Sequence, residues 1–334
     1  MKLHRILLPV LTAAILAAVP GCKKENTESK SFEGYLSIKM PPFIEVGDSK
    51  TFQVDTMMTL ICPDGEPIGY YFYDANTGKS DTLVTSDGVI RNHYYTYTAP
   101  DKLDILSLTF GGFPQKNSAY QATRTSINFV VVRPGLSGDG SITNFDKKSS
   151  KTFTDYRDGR KYYYTTIGSQ QWMRQNLAWT GSGRAIDGCE VMTDVFGRYY
   201  TWEEAQTACP DGWRLPTDAD WTALQEGAEA GKDVPGLAGR MMGDLYFNGA
   251  KMWEYWREVK ITDELRLSVM PVGYGRVEDN SCVFDGLYTY AAFWTADEAD
   301  GQGVCRYIYQ DKDILYRGLM PKTDFAASVR CVKE

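Results

Sequence analysis

Between residues 35 and 132, apolar side chains recur at every second position in short runs. YLSIK, TFQVD, IGYYFYD, HYYTYT, ILSLTF and SINFVVV each read as a strand, because successive side chains of an extended backbone point to opposite faces. Tyr71 and Tyr73 share one face, as do Tyr95 and Tyr97. The intervening PPFIEVGDS, PDGEP, ANTGKSD, SDG and APDK are rich in the Gly, Pro, Asn and Asp that turns require. Short strands at this spacing predict a β-sandwich over residues 34–135. Cys62 is the one cysteine there and reads as a buried thiol.

The pattern then lapses. RPGLSGDGSITNFDKKSS has Gly, Ser and charge without period, so residues 136–150 read as a linker. A second domain is expected over 151–334. Asp158-Gly159 and Gly168-Ser169 predict hairpin turns around YYYTTI, with QQWM as the next strand. Thr201 with Glu204 three residues on is a capping box, which starts a helix carrying Trp202, Ala205 and Cys209 on one face. Pro210 and Asp211-Gly212 end it, and Thr217 with Asp220 caps a second helix that buries Trp221 and Leu224 and stops at Gly231. In the closing FAASVRCVKE, Phe325, Ala327, Val329 and Cys331 alternate onto one buried face.

Cys209 and Cys331 therefore both point inward and are candidates for a disulfide, with two reduced core thiols as the alternative. In the chain-entropy picture so long a loop contributes roughly 4–5 kcal/mol. Cys282 and Cys305 form a second candidate pair for which Cys189 competes, and sequence does not fix that connectivity.

Composition narrows the chemistry. The chain has 334 residues, 43% hydrophobic and 13% aromatic, which supports packed cores and two domains. A net charge of −7 argues against a nucleic-acid surface, which needs clustered Lys and Arg. There are two histidines, His4 and His93, so imidazole-based metal triads and Ser-His-Asp relays are nearly excluded. MKLHR followed by ILLPVLTAAILAAVPGC reads as an export signal over 1–21. Its VPGC end resembles the bacterial lipobox, which implies lipidation of Cys22, anchoring at the outer membrane and exposure at the cell surface. Residues 22–33 then read as a polar tether, and export makes disulfides permissible.

The strand pattern of 34–135 resembles the immunoglobulin-like modules of bacterial surfaces, without the paired cysteines and core tryptophan of antibody domains. From residue 151 onward, IGSQQWMRQNL, FGRYYTWEEA, CPDGWRLPTDADW, VMPVGYG, AAFWTADE and ASVRCV resemble, in order, the Fibrobacter succinogenes major paralogous domain. That resemblance implies a C-type-lectin-like fold related to formylglycine-generating enzymes, and a helix cysteine bridged to the last strand suits it. The fold class expected is thus two domains: an all-β immunoglobulin-like sandwich followed by an α+β C-type-lectin-like domain.

Three functions compete. The first is non-enzymatic ligand capture or adhesion at the cell surface, with a glycan ahead of a surface protein as ligand. Trp253, Tyr255, Trp256, Asp285 and Trp294 are its candidate contacts, on loops forming a shallow aromatic surface. The bland reading makes Trp253 and Trp294 core residues. Asp297, Glu298 and Asp300 are candidate calcium ligands, where calcium-dependent lectins resembling this fold carry Trp-Asn-Asp; WTADE departs from that, and the Glu-Pro-Asn and Gln-Pro-Asp sugar-binding triplets are missing. The expected cofactor is none, with calcium as the exception. The second function is an enzyme resembling the formylglycine-generating group, which the lack of His after residue 151 opposes. The third is a structural, fimbria-associated surface role through strand pairing.

Overall fold

The computed structural model describes residues 29–36, 41–53, 58–75, 77–83, 94–116, 119–136, 138–148, 150–229, 236–279 and 281–334. The export signal, Cys22, most of the tether, His93 and Gly231 lie outside the described residues. The chain is mostly β. The described residues contain no helix long and apolar enough to cross a membrane.

The N-terminal half consists of β1 (Glu33–Leu36), β2 (Phe43–Glu45), β3 (Ser49–Gln53), β4 (Met58–Ile61), β5 (Ile68–Asp74), β6 (Ser80–Leu83), β7 (Tyr94–Thr98), β8 (Asp104–Pro114) and β9 (Thr123–Val132). Each of the six expected strands is present over its described residues. Five strands form one sheet in the order β2-β9-β8-β5-β6, while β1 pairs with β4 and β3 with β7. Alternation does the sorting. Ile68, Tyr70 and Phe72 of β5 join Leu106, Leu108 and Phe110 of β8 and Phe129 and Val131 of β9 in one core. Tyr97, Leu36 and Leu60 from the two-stranded pairs pack onto it. Phe72 and Phe110, directly opposite in register, meet edge to face at 4.7 Å. Cys62 is a free, buried thiol in the same cluster.

The stretch read as a linker is packed instead. Its β10 (Ile142–Thr143) forms a strand, and Ile142 and Phe145 are buried in a cluster that also takes Phe43 and Val132 from the N-terminal half and Met252 and Met270 from the C-terminal half. Ile and Phe in an otherwise polar run carry no period, so their burial was not visible in the sequence.

The C-terminal half continues with β11 (Lys151–Thr154), β12 (Lys161–Ile167), β13 (Gln170–Met173), α1 (Thr193–Phe196), α2 (Trp202–Ala205), β14 (Trp213–Arg214), α3 (Asp218–Glu229), α4 (Leu237–Met241), β15 (Tyr246–Phe247) and β16 (Ala250–Lys251). Then follow β17 (Val272–Glu278), β18 (Ser281–Leu287), β19 (Tyr290–Ala299), β20 (Gln302–Tyr309), β21 (Tyr316–Met320), β22 (Phe325–Ala326) and β23 (Val332–Lys333). One sheet runs β11-β12-β13-β23-β14 and another β18-β17-β19-β20-β21, with β22 alongside β17; β10, β15 and β16 make a third.

The larger sheet has a core on each face, which explains why YAAFW on β19 is apolar throughout. Tyr290, Ala292 and Trp294 enter one cluster with Cys305 and Tyr200. Ala291 and Phe293 enter the other with Trp172, Trp221, Trp253 and Ile308. The C-terminal run is similar. Phe325, Ala327, Val329 and Cys331 share one core as expected, but Ala326, Ser328 and Arg330 are buried as well. It is not one strand: β22 and β23 are joined by single bridges from Ala327 to Tyr200 and from Ser328 to Phe293.

The stretch CPDGWRLPTDADW is a junction held from both ends. Thr201 and Glu204 form the expected capping box on α2. Regular helix stops at Ala205, so Cys209 sits in the turn beyond it, bonded to Cys331. Trp213 stacks on Phe153 at 4.2 Å, and Arg214 at the end of β14 reaches Asp220. Thr217 and Asp220 exchange backbone-to-side-chain bonds of 3.1 and 2.7 Å, which fixes the start of α3. Two fully buried arginines tie distant segments together. Arg330 Nε donates to Asn176 Oδ1 at 2.7 Å and its Nη1 to Leu267 O at 2.6 Å. Arg174 Nη2 donates to Ser268 Oγ at 2.7 Å, and its guanidinium lies 4.3 Å from the Phe145 ring.

Candidate functional site

One face of β19, β20 and β21 runs past the end of its core cover and emerges as a row of aromatic rings. Register produces this row. Tyr290 stands opposite Tyr309, and Tyr307 opposite Tyr316. Directly opposed side chains interact across a ladder. The Tyr290 and Tyr309 rings are 5.0 Å apart, and Tyr307 stacks on Tyr316 at 5.2 Å with planes 10° apart. Gly318 makes the second contact possible, because a Cβ there would meet Tyr307 Cε1 at 2.9 Å. From β17, Tyr274 lies 5.5 Å from Tyr290 and stacks on Phe325 of β22 at 5.1 Å. The result is a continuous strip from Tyr316 to Phe325.

A cleft of about 660 Å³ opens over this strip. Tyr274, Tyr290, Tyr309 and Phe325 form its apolar floor, and Arg276, Glu278, Asp285 and Asp324 contribute charge to its walls. Tyr309 is 44% exposed. Tyr290 is buried, and burial raises its pKa and keeps the phenol protonated. Asp285 is exposed and stands opposite Tyr274, with one carboxylate oxygen accepting from Gly286 N at 2.7 Å. Tyr274, Arg276 and Glu278 alternate along β17 and so share a face. Such an arrangement can stack against a planar, partly apolar ring while polar groups orient its edge.

The expected contact residues divide sharply. Asp285 lines the cleft. Trp253 and Trp294 do not reach solvent: they are 1% and 0% exposed, and their indole N–H groups donate to Val269 O and Tyr200 O at 2.8 and 2.7 Å. They are core residues, because a buried indole with a backbone acceptor is fully satisfied. Trp256 packs partly buried against the core around Trp253. Tyr255 is 81% exposed, but it is not part of the cleft wall. The segment 277–301, which carries Asp285 and Trp294 and was expected as loop, instead holds the end of β17 and all of β18 and β19.

The expected calcium ligands are engaged separately. Asp297 Oδ2 accepts from Asp218 N at the start of α3, at 2.5 Å. Glu298 pairs with Lys322. Asp300 and Gly301, both at positive φ, form the tight turn between β19 and β20. Among the described residues no three His, Cys, Asp or Glu side chains are grouped to hold a metal ion.

The sulfur assignments also separate. Cys209 and Cys331 form a disulfide with their Cα atoms 5.9 Å apart. Cys282 and Cys305 are both free thiols, which corrects the second expected pair. They lie on β18 and β20, three strand spacings apart in the sheet, or about 14 Å, where a disulfide needs Cα atoms within about 7 Å. Cys189, the competitor, is a buried free thiol. Burial pushes the Cys305 thiol up to about 12 and raises that of Cys282.

The tyrosines of the strip were overlooked, although their signal is present. Tyr307 and Tyr309 alternate in YIY, but Tyr274, Tyr290 and Tyr316 stand singly on other strands, and only the sheet register brings them together.

A β-rich chain with an inner aromatic cleft and a disulfide-closed C-terminal half is the class these features define. A family model described as the Fibrobacter succinogenes major domain matches residues 165–333, about half of the chain, and the chain belongs to that family. Comparison with curated proteins and with solved structures returned no match.

Proposed function

We propose that the chain is a non-enzymatic, envelope-anchored lipoprotein that captures a carbohydrate in the cleft over Tyr274, Tyr290, Tyr309 and Phe325. In this reading Cys22 carries the lipid at the outer membrane, an immunoglobulin-like sandwich acts as a spacer, and a C-type-lectin-like domain carries the site. The observation that supports it most is the aromatic floor itself: the exposed Tyr309 and half-buried Tyr274, backed by the buried Tyr290 and Phe325 and set beside carboxylates and a guanidinium, offer the surface a sugar ring needs, apolar on its C–H face and polar at its edge. Capture without catalysis also suits the free cysteines. Chemistry at sulfur needs a thiolate, and burial raises both the Cys282 and the Cys305 pKa.

A glycan-array screen of the purified chain, run with and without a calcium chelator, tests the reading. It predicts binding to a restricted set of glycans that survives chelation. An empty array would remove the carbohydrate reading and favour the structural, fimbria-associated role.

A further inference from the structure

The charges around the cleft add a constraint on the ligand. Its walls carry three carboxylates, Glu278, Asp285 and Asp324, against one guanidinium, Arg276. Asp285 stands directly across the ladder from Tyr274, so a carboxylate and a ring face lie side by side, within the spacing of opposed residues. Glu278 projects to the same side of β17, two positions beyond Arg276. Lys322 and Arg317, the basic side chains nearest in sequence to this edge of β21, are paired with Glu298 and Asp218 and do not line the cleft. The surroundings thus favour a positive group over an apolar floor. Tyrosine faces add attraction for a cation, and the same carboxylates repel an anionic ligand.

We infer that the cleft selects a saccharide unit bearing a free amine, a hexosamine, over N-acetylated and acidic sugars. The inference rests on the carbohydrate reading above and names its substrate class. The sugar's C–H face lies on Tyr309 and Tyr274, and its ammonium lies beside Asp285, across the ladder from Tyr274 and clear of Arg276. A uronic or sulfated sugar would place its own negative charge against that carboxylate. A lysine-rich peptide offers the ammonium without the flat ring, so the tyrosine floor gives it less contact.

Titration calorimetry of the full chain tests this with four probes: glucosamine oligomers, N-acetylglucosamine oligomers, galacturonic acid oligomers and oligolysine. The expected result is that glucosamine oligomers bind at least about tenfold more tightly than the other three, with a preference that shrinks as salt rises. The variant Asp285→Asn should bring glucosamine and N-acetylglucosamine oligomers to similar affinity without abolishing binding. Equal or tighter binding of the N-acetylated or acidic oligomers by the unaltered chain overturns the amine selection and leaves the carbohydrate reading standing. Oligolysine binding as tightly as glucosamine oligomers overturns it in favour of a peptide ligand. No response to any of the three sugars overturns the amine selection, and the carbohydrate reading then stands or falls on the glycan array.

Discussion

Cys209 and Cys331 are bonded across a separation of 122 residues, joining the turn after α2 to the chain's last segment. The bond closes the C-terminal half at the place where β14 and β23 also pair. Its removal should act mainly by releasing the unfolded chain, since the surrounding side chains already pack in one core. The variant Cys209→Ala, Cys331→Ala should lose about 3–5 kcal/mol in denaturant unfolding. A loss within measurement error would show that the strand pairing alone fixes this closure.

Trp253, Trp294 and Tyr255 should respond according to burial. Trp253→Ala and Trp294→Ala should each destabilise by about 3–5 kcal/mol, because they leave cavities and orphan a backbone carbonyl. Tyr255→Ala should change stability by less than about 0.5 kcal/mol. Thermal unfolding of the three variants side by side checks the order, and a stable Trp253→Ala would contradict its place in the core.

Asp263 links stability to pH. It is largely buried, accepts two bonds from Ser268 at 2.7 and 2.6 Å, and lies 3.6 Å from Arg174. Burial is the dominant influence and raises its pKa to about 6 despite those donors and the nearby Arg174 and Arg330. The folded state therefore holds this proton more tightly than the unfolded chain. The resulting stabilisation is complete below the ordinary carboxyl value of 3.8 and is lost as pH rises through about 6. A shift of this size corresponds to about 3 kcal/mol. Unfolding measured across that window should show stability falling as pH rises, and Asp263→Asn should flatten the curve. An unchanged slope in the variant would assign the pH dependence to other groups, such as Asp187 and Asp313, whose pKa values burial also raises.

Gly318 offers a local test of the aromatic strip. Gly318→Ala should displace the Tyr307 ring from Tyr316, since the new Cβ would sit 2.9 Å from Tyr307 Cε1. The ring-current shifts of these two tyrosines, read by NMR, should change while those of Tyr70 and Tyr97 in the N-terminal core stay fixed. Unchanged spectra would mean that the ring accommodates the methyl group in place.

Sequence patterning revealed much of the framework and little of the site. Capping at Thr201 and Thr217, the inward cysteines and the N-terminal strands rest on local rules, and local rules are visible in a single chain. Burial on both faces is not: the apolar run around Trp294 has no single period and so reads as loop, yet β19 feeds two cores at once. The buried arginines Arg174 and Arg330 were equally hidden, since their acceptors come from Leu267, Ser268 and Asn176. Asp285 was identified and its tyrosine neighbours were not. The difference between a covered and an open tyrosine face is set by where β22 and its neighbours end, which no residue spacing records.

The most direct measurement is the glycan-array profile of the unaltered chain beside that of Tyr309→Ala, with folding of both confirmed by near-ultraviolet circular dichroism. Tyr309 is the most exposed ring in the cleft floor, so its removal should leave the core intact and weaken every bound glycan by about tenfold or more. Glycan binding that persists undiminished in the variant would place the site elsewhere and contradict the account.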